Sequence, residues 1–533
     1  MALSLTQTLV FGFTLFIVTK AGNILMAPYS HCINSHMINL EILSWYLSEN
    51  GHNVTLLVPE PYRGPYVSFD IQDTNIQVLR FKDPSSVDRA TPKLGRCEGF
   101  DSLDSFRRMD VNGMRMTEHS TSFKATSDLF ADNATLTTLI RSRFQVVITD
   151  YFWLCGYAVA AYLKIPLVTV QMLPGAHVMQ IPDLYPAISF TPDNYEAISD
   201  NMSFFERVRN AWQLFVLRPL QRKYVDWIFY PRFHKIMLEH GFSDPDPNNV
   251  FNNITLGFMN SDFLFDYPGP VYSDMLFIGG FFNQWVSKPK KPLYKNVMGV
   301  IESSDENGII VVSFGSMLLD YEVKWAKAFA DAFARLPHKV IWRYPQLNTP
   351  PLNLGQNTLL MEWLPQPYLL SHPKVKLFIS HCGAGAAYES IFHGVPVLGI
   401  PLAGDQPANC KKLSDRLFVG KCVDISTLTS ETLFAAIQGL LHNSTIRSNA
   451  RRVSQIFKER VTAHGPNILR SINSVLAEGG AHYLHPKTRE MVWYQKYLID
   501  LIVVVFAGVA VLSSTFYYCL CSSPESKSQK KVD

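Results

Sequence analysis

The sequence predicts an α/β protein: two doubly wound parallel-sheet domains facing a cleft, followed by one C-terminal membrane-spanning helix. Three observations carry that reading. Two series of buried strand–helix–strand patterns run along the chain, a stiff charged segment separates them, and an uncharged apolar run lies near the C-terminus. At 533 residues the chain is long enough to hold two separate cores.

The elements follow in order. Ala2–Val18 is an apolar stretch followed by the small residues Thr19 and Ala21, and it reads as a signal peptide covering 1–21, although a positive n-region is missing. The first domain, 22–286, opens with a strand at Asn23–Ala27, an amphipathic helix at Met37–Glu49 and a strand at Asn53–Val58, which make one βαβ unit. Val146–Thr149 and Leu167–Val170 repeat the pattern around a helix at Leu154–Leu163. Ser287-Lys288-Pro289-Lys290-Lys291-Pro292 is the linker. The second domain, 293–485 with a returning helix, repeats the pattern with strands at Ile309–Phe314 and Lys339–Arg343 around a helix at Glu322–Arg335. A membrane helix is placed at 498–520 around the charge-free Leu501–Leu520, and 521–533 forms a polar tail.

Residues 363–409 hold the densest chemistry. Val375–Ser380 reads as a buried strand after the short strand Thr358–Met361, and Ala384–His393 as the helix that follows it. His381-Cys382-Gly383-Ala384-Gly385 is then the turn between strand and helix. Glycines there admit a close ligand, while backbone N–H groups and the helix dipole favour a diphosphate. A dinucleotide fingerprint is excluded in detail, because Tyr388 occupies the position where Gly or Ala is needed. A tight turn without a ligand is the plain alternative for these residues taken alone.

Trp363-Leu364-Pro365-Gln366 sets an indole face beside an amide, suited to stacking and edge-reading a pyrimidine; a Trp packed in the core is the competing role. After the buried run Gly394–Pro401, Gly404-Asp405-Gln406 sits at a strand's carboxyl end, where open α/β sheets bind ligands, and an Asp-Gln pair suits a polyhydroxylated sugar. Either residue alone would also serve as a helix cap.

Together these residues resemble the signature of UDP-glycosyltransferases of the glucuronosyltransferase family, and the resemblance extends through the rest of the chain. It identifies the two Rossmann-like domains as a GT-B fold. It implies that Trp363 stacks uracil, Gln366 contacts the base, Glu389 binds the ribose diol, Asp405 and Gln406 bind sugar hydroxyls, and His381 with the backbone of Gly383 and Gly385 holds the diphosphate. Ser313-Phe314-Gly315-Ser316 resembles the family's other phosphate turn, through Ser313, Gly315 and Ser316. This chain departs from the commonest pattern at Cys382, usually Gly, and at Gly385-Ala386.

Asn34-Ser35-His36 ends the loop after the first strand, where a neutral imidazole is placed to take a proton from an acceptor hydroxyl. The family's catalytic His lies in a Ser-His pair ahead of a Gly-His turn, and Ser35-His36 with Gly51-His52 match that pattern; Ser30-His31 is a rival pair in the same loop. Asp150, at the end of the Val146–Thr149 strand, matches the partner that fixes the imidazole's tautomer, against the simpler role of a helix cap.

The implied activity is inverting transfer of a hexose from a UDP-sugar to a hydroxyl of a small lipophilic acceptor. UDP-glucuronate is favoured by the resemblance, with UDP-glucose and UDP-galactose as alternatives. Lys411 and Lys412 would suit a uronate carboxylate, but a solvated helix face is the expected role. No cofactor or metal is implied. The rival from another class is an inert nucleotide-sugar-binding membrane subunit, which the presence of both His36 and Asp150 opposes.

Charge excludes a nucleic-acid footprint, with 48 basic against 45 acidic residues. Three lysines against two acids after the span put the tail on the cytoplasmic side, and the catalytic mass in the lumen. The final Lys530-Lys531-Val532-Asp533 resembles the dilysine signal by which this family stays in the endoplasmic reticulum. Sequons at Asn133, Asn201, Asn253 and Asn443 fit a lumenal domain, and Asn53 is expected to be unmodified because it opens a buried strand. The lumenal cysteines are scattered without CxxC or metal spacing, which predicts neither zinc nor a disulfide framework, while Cys519 and Cys521 sit at the membrane edge. Phe204–Leu238 alternates aromatic and basic side chains, as in Trp227-Ile228-Phe229-Tyr230-Pro231-Arg232, a texture shared by lipid-interface helices and core helices with snorkelling arginines. Homo- and hetero-oligomers are both left open.

Overall fold

The computed structural model describes residues 21–28, 34–60, 75–82, 122–173, 188–242, 253–286, 294–318, 320–487, 491–496 and 498–521. The signal segment, the linker, His31 and the dilysine tail lie outside them.

The strands are β1 Asn23–Ala27, β2 Asn53–Pro59, β3 Gln77–Phe81, β4 Val146–Asp150, β5 Leu167–Gln171, β6 Leu256–Met259 and β7 Met275–Phe277 in the first half. The second half holds β8 Ile309–Ser313, β9 Lys339–Arg343, β10 Thr358–Met361, β11 Val375–Ser380, β12 Val397–Gly399 and β13 Gly420–Cys422. They form two parallel sheets, ordered β3-β2-β1-β4-β5-β6-β7 and β10-β9-β8-β11-β12-β13. Alternate residues of each central strand serve opposite faces. Ile24 and Met26 enter one core cluster while Leu25 and Ala27 enter another, and Ile309 and Val311 divide from Ile310 and Val312 in the same way. Burial on both faces is what makes these strands read as unbroken apolar runs.

The helices used below are α1 Asn34–Glu49, α2 Leu154–Leu163, α3 Phe204–Trp212, α4 Arg218–Glu239, α5 Val323–Ala334, α6 Gln366–Ser371, α7 Ala384–His393, α8 Gln406–Lys411, α9 Ser444–Val461, α10 His464–Glu478 and α11 Ile499–Cys521. Three findings correct the sequence reading. Helix α1 begins at Asn34 rather than Met37, so His36 lies inside its first turn; the apolar period starts only at Met37 and cannot see a polar first turn. Cys410 and Cys422 form a disulfide, because β13 lies beside β12 and brings Cys422 to the end of α8. Asn53 is exposed at the entry of β2, so burial does not exclude its modification.

The chain crosses between the halves twice. Phe265, from the segment after β6, sits in a core cluster of the second half, while Ile468, Ile472 and Val475 of α10 sit in a cluster of the first. Buried Lys412 Nζ reaches Asp266 Oδ1 at 2.7 Å, and Arg460 Nε reaches Asp262 Oδ1 at 2.9 Å. Lys412 therefore does not lie on a solvated helix face. Its partner is 146 residues away, beyond the reach of local pattern.

In α3 and α4 both sequence readings have a counterpart: Phe204, Phe205 and Trp227 are exposed, while Phe233, Ile236 and Met237 are buried in the core. Helix α11 is long and apolar enough to cross a membrane, with a mean hydropathy of 2.3. The sequons Asn133, Asn201, Asn253 and Asn443 are exposed.

Candidate functional site

Each sheet reverses its strand order once, between β1 and β4 in the first and between β8 and β11 in the second. A crevice opens at the carboxyl ends of strands at such a point, and ligands bind there. Every predicted site residue lies at or beside one of these two places.

At the first, His36 leaves the opening turn of α1 and Asp150 ends β4. His36 Nδ1 lies 2.8 Å from Asp150 Oδ2, with His36 5% exposed and Asp150 fully buried. The other carboxylate oxygen accepts the Phe152 N–H at 2.9 Å, so Asp150 is held on both sides. A proton shared with Asp150 belongs on Nδ1, which makes Nε2 the basic nitrogen of the neutral ring. The Phe152 ring stands 6.3 Å from the imidazole and Tyr151 packs edge-on against Phe152, giving the base an aromatic wall.

At the second, the turns after β8 and β11 face each other with His381 between them. A Cβ added to Gly315 or to Gly383 would stand 2.5 Å from His381 Nε2, so the imidazole fills the space that both glycines leave open. Gly315 also has φ +76, a conformation that side chains resist. Burial lowers His381 to about 4, with the Arg343 charge pushing the same way, so at neutral pH the ring offers N–H and lone pair but no positive charge. Gly383 caps α7 without a side chain, leaving the helix's first N–H groups uncapped by the protein. Cys382 adopts φ +64, which accounts physically for the usual glycine at this position. Its carbonyl accepts from Asn409 Nδ2 at 3.2 Å.

Around these turns lie the remaining residues. Trp363 is 38% exposed, so its ring lies at the surface instead of in the core, 5.6 Å from the Arg343 guanidinium carbon. Gln366, the first residue of α6, donates from Nε2 to Glu389 Oε2 at 2.6 Å, so the amide and the carboxylate form one unit. Burial raises Glu389 to about 7, against the opposing pull of the Gln366 amide. Asp405 Oδ2 accepts from Asn409 Nδ2 at 2.6 Å, and Gln406 Oε1 accepts the N–H groups of Leu402 and Ala403 at 2.8 and 3.1 Å. Gln406 thus ties down its own loop with its carbonyl, directing its amide nitrogen elsewhere.

The two places face one another. Met317, Leu402 and Ala403, all from carboxyl-end loops of the second sheet, pack on a core cluster of the first half. Asp405 is raised by burial, while Asn409, Lys412 and, from across the crevice, His36 pull it down. The loop that leads into Asp405 is thus packed against the half that carries His36. By contrast, a hollow of about 940 Å³ lined by Lys376, Arg447 and Arg451 lies at the amino ends of the second sheet's strands and contains none of the candidate residues.

Sequence reasoning missed Arg343 and Asn409. Arg343 ends β9, and a charge closing a buried strand at its carboxyl end was the available signal. Asn409 sits one turn after Asp405 on α8, and only the structure reveals that it binds both that carboxylate and the Cys382 carbonyl.

Residues 22–530 match the family described as UDP-glucoronosyl and UDP-glucosyl transferase. The chain belongs to that family. It is 30% identical to UDP-glucuronosyltransferase 1A1 of Mus musculus over 94% of this chain and 91% of the relative. It is likewise 30% identical to UDP-glucuronosyltransferase 1A6 of Mus musculus over 96% of this chain and 94% of the relative. Among solved structures, the spinosyn forosaminyltransferase SpnP aligns with a TM-score of 0.57 at 16% identity, over 86% of this chain and all of that one. The glycotransferase of kitacinnamycin aligns with a TM-score of 0.55 at 19% identity, over 86% and 100%. The two-sheet GT-B architecture and a glycosyltransferase activity of the UDP-glucuronosyltransferase kind follow.

Proposed function

We propose that this UDP-glycosyltransferase moves a hexose, glucuronic acid in the favoured case, to a hydroxyl of a small lipophilic acceptor with inversion at the anomeric carbon. The observation that carries this reading is the buried His36–Asp150 pair, 2.8 Å apart at the carboxyl ends of β1 and β4, on the half against which the Leu402–Ala403 loop packs. His36 Nε2 takes the acceptor's hydroxyl proton as its oxygen forms a bond to the anomeric carbon. The bond from that carbon to the β-phosphate oxygen breaks on the opposite side, and its electrons leave with UDP. Asp150 steadies the imidazolium that forms. On the donor side Trp363 stacks uracil, Gln366 and Glu389 take the base edge and ribose, and Asp405 and Gln406 bind sugar hydroxyls. Ser313, Gly315, Ser316, His381, Gly383 and Gly385 line the diphosphate.

Glucuronate is supported by the names of the relatives, with glucose and galactose as the alternatives. Lys412 is committed to Asp266 and so does not serve a uronate. The aromatic wall of Tyr151 and Phe152 beside His36 supports a lipophilic acceptor. A lumenal, endoplasmic-reticulum orientation is supported by the Cys410–Cys422 disulfide, which belongs to an oxidising compartment, and by the span α11.

The test is a panel of labelled UDP-glucuronate, UDP-glucose and UDP-galactose against phenolic and aliphatic alcohols, using the full chain in microsomes with and without EDTA. A β-linked product, formed equally with chelator, is expected. An α-linked product would contradict inversion, a requirement for added divalent ion would contradict binding of the diphosphate by N–H groups, and turnover of no donor would overturn the reading.

A further inference from the structure

Arg343 is 5% exposed, yet its donors go to carbonyls alone. Its Nη1 donates to the Gly315 and Leu318 oxygens at 2.5 and 3.0 Å, and Nη2 to the Ser316 oxygen at 3.5 Å. Nε has no partner among the described residues, and the carboxylate whose charge it feels is that of exposed Glu362. Its guanidinium carbon lies 5.6 Å from the centre of the Trp363 ring. One buried cation thus touches the β8 turn and one face of the indole. Burying a charge is costly, and three carbonyls offset it only in part, so an anion beside the guanidinium would be favoured.

Other positive groups nearby do not fill that role. His381 is neutral, Lys411 pairs with Asp415 and Lys412 with Asp266. Peptide geometry adds a second effect: with the Gly315 carbonyl turned toward the guanidinium, the Ser316 N–H of the same planar unit points the opposite way. A cation on the carbonyl also polarises the amide, strengthening its N–H as a donor.

Resting on the reading that these turns hold UDP, we propose that Arg343 is the positioning residue for the donor diphosphate: it supplies a buried positive charge behind the β8 turn and orients the Ser316 amide and the Trp363 ring.

The test is a ladder of uridine, UMP and UDP binding to the full-length wild type, Arg343→Met and Arg343→Lys. Loss of affinity in Arg343→Met is expected to grow with each phosphate, reaching about 10–100-fold for UDP, with partial recovery in Arg343→Lys. Equal losses for all three ligands would mean that Arg343 only props the Trp363 ring, and unchanged UDP affinity would leave it no role; either outcome overturns the proposal. Should both variants fail to fold, wild-type thermal stability with inorganic pyrophosphate decides: a rise that disappears as an increment once UDP is saturating is expected, and its absence is fatal. A wild type that binds no UDP would instead sink the functional reading itself.

Discussion

The two switch points solve different problems with different kinds of structure. In the first half the proposed base rests on one hydrogen bond between side chains 114 residues apart, aimed by β1, α1 and β4. In the second half the donor site is spread over two turns, two helix starts and a chain of amide–carboxylate contacts within residues 313–409. A function resting on one proton acceptor is lost all at once, whereas a function distributed over many contacts declines by degrees.

Removing the base should therefore have the largest effect. His36→Ala is expected to lower kcat by about 10²–10⁴-fold while leaving UDP affinity nearly unchanged, because the imidazole and the UDP turns belong to opposite sides of the crevice. Single-turnover assays and a UDP-binding titration on the same preparation test both halves of the statement. Normal activity in His36→Ala, with loss in His31→Ala, would move the base to the other histidine of the loop.

On the distributed side a single deletion should be graded. Trp363→Ala is expected to raise the donor KM by about 5–150-fold, equivalent to ~1–3 kcal/mol of base stacking, with a smaller change in kcat. Stacking is equally strong in ground and transition states, so it appears in KM. Unchanged donor affinity in a folded variant would remove the uracil role and leave the exposed indole unexplained.

These regions were also unequally legible. Strands β9 and β11 and helix α7 fall where apolar runs and the glycine turn place them, because a strand buried on both faces advertises itself in sequence, and the edge strand β10 also falls at its expected residues. The same density of cues makes the turn after β11 readable from residues 363–409, while the β8 turn at Ser313–Ser316 is legible only through the family resemblance. On the acceptor side the polar first turn of α1 hid the helix start, and the His36–Asp150 contact rests on strand order, which no local pattern encodes. Arg343 and Lys412 look like ordinary charges in the chain, and their burial depends on what packs over them. The Cys410–Cys422 bond likewise depends on β13 pairing with β12.

A pH series sharpens the comparison, since the titrating donor group is distinct from the base. Glu389 is raised by burial to about 7, so the folded protein retains its proton between the ordinary carboxylate range and that value. Its contribution to stability is thus present at low pH and is lost as pH rises through about 7. With the proposed ribose role, donor binding runs the other way, because a carboxylate accepts two hydroxyls only when ionised. Between pH 6 and 8 the donor KM should fall about 10-fold, Glu389→Gln should abolish the trend, and Gln366→Leu should move its midpoint upward by removing the amide that favours the charged form. A trend that persists in Glu389→Gln would assign it to another group.

The smallest effect on catalysis should come from the far end of the chain. Changing Lys530 and Lys531 to Ser is expected to leave kcat and both KM values unaltered while releasing the protein to later compartments, because the tail follows α11 and a receptor-read address is separable from folding. The contrast is informative for the two sites: catalysis depends on the facing crevices, and those are built from residues that end well before the span. Glycan processing gives the readout, since exposed sequons such as Asn201 and Asn253 would become resistant to endoglycosidase H once the protein reached the Golgi. Complete sensitivity in the Lys530/Lys531 variant would mean that the pair does not hold the protein back, and that retention must be sought in α11 or in the two sheet-bearing halves.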